Sequence, residues 1–177
     1  ASTSQTDMDE AGKQGLIVSV TRVDFAANSI VLIAPSAEEQ LLKSFEGLSE
    51  TSIKKIAIGN PKTVPIGRYA EEIFSFYQIL PFIKDKFIYA ENVRQVLDYV
   101  AKDEVDAGVV YVTDAAIRSK EVNVIAIAPE ASHKPVVYPI AVVKGSKNES
   151  AAKAFISMVL SQEGKKILQK YGFKTLQ

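Results

Sequence analysis

Six short runs of β-branched and other apolar residues constrain this chain more than any other feature. They are "SIVLIAP" (29–35), "KKIAIG" (54–59), "KFIYA" (86–90), "AGVVYV" (107–112), "VNVIAIAP" (122–129) and "VVYPIAVV" (136–143). Each has strand length and ends near Gly, Pro or a polar turn. The runs are continuous rather than strictly alternating. That pattern suits strands buried on both faces, as in a largely parallel sheet. Helical spacing fills the gaps between them. Val93, Val96, Leu97 and Val100 share one helix face, and so do Ala152, Phe155, Ile156 and Val159. Asn92 followed by Gln95 resembles a capping box. Pro65 is suited to a first helical turn, and Gly172 to a helix stop. The polar opening "ASTSQTDMDEAGKQG" reads as a tail or the start of a helix. Strands alternating with helices give an α/β fold.

The runs 29–35 and 136–143 bracket the middle of the chain, as two crossing strands would bracket an inserted domain. The expected division is 1–34, a partial first lobe with the first crossing strand; 35–130, a second lobe; and 131–177, the second crossing strand with the C-terminal helices of lobe one. On this reading 1–28 and 144–177 hold helices but almost no strands.

Composition removes several functions. Lys plus Arg and Asp plus Glu both number 21, so the basic surplus of a nucleic-acid binder is missing. No apolar run approaches the ~20 residues of a membrane-spanning helix. The chain has no cysteine, so disulfides, thiol catalysis and Cys-based zinc sites are ruled out. No Ser-His-Asp order, HExxH, Walker loop or GxGxxG is present. An α/β enzyme would have to rely on Asp114 and on His133, the single histidine. Thr113 or Asp114 as a helix N-cap accounts for that segment without chemistry. Asp103, Glu104 and Asp106 read as solvated turn residues.

Backbone offers another chemistry. In α/β sheets, ligands bind beyond the carboxyl ends of strands, where helices begin. A helix N-terminus presents unpaired N–H groups and about half a positive charge, enough to hold an anion without Lys or Arg. Two junctions have this form, "IAIGNPKTVPIGRYA" and "AGVVYVTDAAI".

The first of these strings resembles the "GDPxxVPAGxYAxE"-like segment of the molybdate-binding proteins of ABC transporters. The similarity continues in order through "AENVRQVLDYVAKDEVDAGVVYVTDA", "APEASHKPVVYPIAVVKGSKN" and "AAKAFISMVLSQEGKKILQKYGF", and upstream through "QTDMDEAGKQGLI" and "RVDFAANSIVLIAP". It covers nearly the whole chain. The resemblance implies a type II periplasmic-binding-protein-like fold, with two lobes, parallel-rich sheets, crossing strands and ligand in the cleft. It implies capture of molybdate or tungstate by neutral donors, with no enzymatic step, no cofactor and no directly coordinated metal. Sulfate would be refused by cavity size. The donors carried over are the Ile66 amide, the Val110 amide and the Tyr138 phenol.

The implied partners are the oxyanion and a membrane permease. The implied location is periplasmic or extracellular, with a lipoprotein anchor as one form. The family's opening strand, helix and two serine-bearing turns have no counterpart here, so the first lobe is expected to be incomplete. A truncated chain of this kind is expected to self-associate and to bind molybdate weakly. The alternatives are an α/β enzyme, or a structural module without a working cleft.

Overall fold

The structure is a computed structural model and describes residues 1–36 and 42–176. Among the described residues the elements run α1 (Gln5–Lys13), β1 (Ile17–Ala27), β2 (Ile30–Pro35), β3 (Ile56–Gly59), α2 (Pro65–Phe76), α3 (Leu80–Ile83), β4 (Phe87–Ala90), α4 (Val93–Ala101), β5 (Ala107–Tyr111), α5 (Val112–Ile117), β6 (Val122–Ile127), β7 (Val137–Val143), α6 (Glu149–Leu160), α7 (Gln162–Lys170) and β8 (Lys174–Thr175). The expected α/β class is the one observed. The chain divides into two compact units, Ala1–Asn28 with Pro135–Gln177, and Ser29–Lys134.

The Ser29–Lys134 unit is built on a sheet of order β4-β3-β5-β2-β6. β3 is parallel to both β4 and β5, whereas β2 is antiparallel to both β5 and β6. The sheet is therefore mixed, with β2 alone running against its fellows. Its core gathers Val31, Ala57, Val96, Leu97, Val100 and Val110, so the apolar face of α4 closes over the middle of the sheet. The periodic helix face read from the sequence is this one. Lys54 and Lys55 donate their backbone N–H groups to Asp106 Oδ2, both at 2.7 Å. Asp106 is thus a tie across the edge of β3 rather than a merely solvated turn residue.

The other unit holds a three-stranded sheet of order β7-β1-β8, antiparallel throughout. β1 is an eleven-residue strand where none was expected. Ser19, Thr21, Arg22 and Asp24 interrupt its apolar pattern, and its pairing with β7 shifts register twice. Arg22 and Asp24 are accommodated by α1, where Gln5 donates to Asp24 and accepts from Arg22, and Asp9 pairs with Arg22. Ile140, Val142 and Ile156 form the small core beneath it. Ile156 is buried, but Phe155 on the same helix is 55% exposed. The first helix is capped by Ser4, which accepts from the Asp7 N–H at 3.3 Å. Gly172 has φ 84°, the left-handed conformation that ends α7. No helix among the described residues is long and apolar enough to cross a membrane.

Candidate functional site

Parallel pairing puts the carboxyl ends of β4, β3 and β5 on one edge of the Ser29–Lys134 unit, at Ala90, Gly59 and Tyr111. A helix starts beyond each end. The turn after β3 is tied to the end of β4 by the Asn60 N–H, which donates to Ala90 O at 2.9 Å. Asn60 then folds the loop on itself. Its Oδ1 accepts from the Lys62 N–H at 3.1 Å, and its carbonyl accepts from Val64 at 2.7 Å. Pro65 is the first residue of α2 and contributes no N–H. The Gly67 N–H turns back to Val64 O at 3.1 Å. Between them, the Ile66 N–H has no acceptor among the described residues. Ile66 is 1% exposed, so this is a buried donor awaiting a partner.

The start of α4 also leaves amides open, although Val93 is half-buried and Arg94 is exposed. Asn92 Oδ1 caps the Gln95 N–H at 2.9 Å. The return arm of the expected capping box reaches one residue further back, because Gln95 Oε1 accepts from the Glu91 N–H at 2.7 Å. The Val93 and Arg94 N–H groups have no acceptor among the described residues. Neither α2 nor α4 carries an acidic side chain in its first turn. Two positive helix ends therefore emerge from adjacent strands.

The Val110 amide is differently placed from the expectation. Val110 faces Val31 in the β2–β5 ladder, and two residues on, the Val112 N–H donates to Ser29 O at 2.9 Å. Antiparallel alternation then commits the Val110 N–H to the Val31 carbonyl. The Val110 amide is therefore turned into the β2–β5 ladder rather than left open at the strand end. The group that β5 brings to the edge is Tyr111, its last residue. Its side chain leaves the face opposite Val110. Sequence reasoning missed Val93 and Tyr111. The signal for Val93 was present, since "YAENVRQ" is a strand end followed by a cap, the same form as the two junctions singled out. Tyr138 lies in the other unit. There it is 6% exposed, and its hydroxyl accepts from Asn28 Nδ2 at 3.1 Å.

The residues an enzyme would need are dispersed among other partners. Asp114 is buried in the first turn of α5, inside the helix rather than at its N-cap, which is Tyr111. Burial pushes its carboxyl above the usual range, and the Arg94 guanidinium, 3.3 Å away, pulls part of that back. His133 lies in an open groove of about 720 Å³ with Arg68, Glu72 and Lys134. Its Nδ1 faces Lys134 O at 2.7 Å, and its ring meets Tyr69 edge-on at 5.9 Å. Among the described residues no group of three or more His, Asp or Glu side chains could hold a metal ion.

Known proteins resemble this chain throughout. A family model described as bacterial extracellular solute-binding protein matches residues 1–174. A protein named as an ABC transporter substrate-binding lipoprotein, YvgL of Bacillus subtilis (strain 168), is 41% identical over 159 residues, covering 90% of this chain and 60% of that protein. The molybdate-binding protein ModA of Escherichia coli (strain K12) is 37% identical over 178 residues, covering 97% of this chain and 68% of that protein. The chain thus spans between 60% and 68% of the length of these two relatives. Among solved structures, a substrate binding domain named for a molybdenum ABC transporter of Clostridium difficile superposes with a TM-score of 0.83 at 34% identity, covering 99% of this chain and 76% of that one.

Proposed function

We propose that this chain, which belongs to the bacterial extracellular solute-binding protein family, captures molybdate or tungstate outside the cytoplasm for an ABC transporter. The observation that carries this reading is the buried, unpartnered Ile66 N–H at the start of α2, with the unpartnered Val93 N–H at the start of α4 on the next strand. A tetrahedral dianion satisfies such donors without a Lys or Arg in the pocket. Charge-assisted hydrogen bonds repay the water that it gives up. The protein grips and releases its ligand, and no bond is broken. Size is the filter, because sulfate has the same charge and shape as molybdate but is smaller.

Two phenols are candidates for a side-chain donor. Tyr138 follows from the resemblance, and Tyr111 follows from its place at the end of β5. The permease partner and the location outside the cytoplasm rest on the names of the relatives.

Calorimetric titration with sodium molybdate, and with sulfate as a control, tests the proposal. Molybdate is expected to release heat and sulfate is not. The phenol that meets the ligand is the one whose change to Phe weakens binding by about 1.5–3 kcal/mol, the worth of a hydrogen bond to a charged group. Absence of molybdate heat and of any thermal shift would sink the reading. An unchanged affinity in both Tyr111→Phe and Tyr138→Phe would leave the oxyanion to backbone donors alone.

A further inference from the structure

We propose that Arg94 and Asp114, backed by Asp98 and Arg118 one helical turn further on, form a positioning ladder that holds the first turn of α4 where its free amides meet the ligand. The proposal rests on the oxyanion reading above. Arg94 Nη2 lies 3.3 Å from Asp114 Oδ1, and Arg118 Nη1 lies 2.5 Å from Asp98 Oδ1. On α4 the charges run positive then negative, four residues apart. On α5 and the residue that ends it they run negative then positive at the same spacing. Residues four apart sit one above the other on a helix, so the two pairs are successive rungs between the same two helices.

This arrangement specifies register as well as contact. Sliding α4 by one turn in one direction sets Asp98 against Asp114. Sliding it in the other sets Arg94 against Arg118. Both slips put like charges face to face, so only the observed register pairs every group. The inner rung is the more consequential. The Asp114 side chain is 11% exposed and that of Arg94 50%, so the arginine closes a buried carboxylate off from one side. Without Arg94 that carboxylate would be buried and unpaired, which is costly. Arg94 is also the second residue of α4, so the guanidinium that pairs with Asp114 belongs to the same turn as the free Val93 and Arg94 amides. Fixing the side chain therefore fixes the donors. The ladder also neutralises an acid that would otherwise repel a dianion at the neighbouring helix ends.

Hydrogen–deuterium exchange on the ligand-free chain reads the ladder directly. Arg94→Gln is expected to speed exchange in 92–98 by about fivefold or more, with the start of α2 (63–70) changed less than about twofold. Asp114→Asn is expected to act in the same direction. Arg94→Lys, which keeps the charge, should recover most of the protection. In calorimetry with sodium molybdate, Arg94→Gln is expected to bind about tenfold more weakly, and Arg94→Lys within about threefold of the unaltered protein. Should Arg94→Gln fail to fold, Asp98→Asn reads the same ladder at its more exposed rung. Unchanged exchange in 92–98 across these variants overturns the proposal whatever the binding result. Faster exchange with unchanged molybdate affinity overturns it too, since the ladder would then serve stability alone. If the unaltered chain gives no molybdate heat, the functional reading fails, and exchange still decides whether the ladder positions α4.

Discussion

Replacing Gly67 by alanine should displace the first turn of α2 and with it the Ile66 donor. A Cβ built on Gly67 would lie 2.0 Å from Gly59 O, 2.7 Å from Gly59 C and 2.9 Å from Pro61 N. All three are backbone atoms of the strand end and its turn, so no side chain can swing aside. Ordinary contact begins near 3.4 Å, so helix and strand must part by about 1.4 Å. A donor moved that far leaves the narrow distance range of an N–H···O bond. Overpacking of this kind costs about 3 kcal/mol, and the better helix propensity of alanine offsets about 1 kcal/mol of it. The expected net loss is about 2 kcal/mol, read as a lower midpoint in urea denaturation. Molybdate binding should fall by at least about tenfold in calorimetry. A Gly67→Ala protein with an unchanged midpoint and unchanged affinity would refute the idea that backbone-to-backbone contact seats this donor. The neutral "VPIGRY" segment then has a physical account: its glycine permits the approach, and its proline and isoleucine leave one amide free.

Two further outcomes follow from the titratable groups. The Asp114 carboxyl is held above its usual value chiefly by burial, so the folded state binds this proton more tightly than the unfolded chain. Relative to Asp114→Asn, the unaltered protein should therefore lose stability as pH rises from the unfolded carboxylate value through the raised one, and level off above it. Urea denaturation of both proteins from about pH 3 to 7 checks the sign, and a flat or opposite difference would contradict it. His133→Ala should leave molybdate affinity within about twofold, because His133 contacts the Lys134 carbonyl and the Tyr69 ring rather than the helix ends. A loss beyond about tenfold would put the His133 loop at the site.

How much the sequence could say differs from element to element. Val93, Val96, Leu97 and Val100 announced α4 because a buried helix face must repeat near every 3.6 residues, and "SIVLIAP" and "AGVVYV" announced β2 and β5 because strands covered on both faces need apolar residues throughout. Gly172 and Pro65 marked helix ends for local stereochemical reasons. These signals are local, so they survive in one dimension. β1 escaped because the residues it turns toward α1 are polar, with Arg22 and Asp24 paired to Gln5 and Asp9, and its register shifts broke even the alternating pattern. The open first turn of α2 was also legible, since a proline at the first position and the lack of acidic neighbours are sequence facts. Pairing decided the rest. Which amide is free depends on which strand lies alongside: Val110 is committed because β2 runs antiparallel to β5, and no residue near Val110 in sequence reveals that neighbour. Val93 and Tyr111 share an edge with Ile66 only because β4, β3 and β5 run parallel and side by side. The chain's own residues supplied the donors: helix starts leave the Ile66 and Val93 amides open, and strand pairing brings those two starts to one edge while it turns Val110 into the sheet.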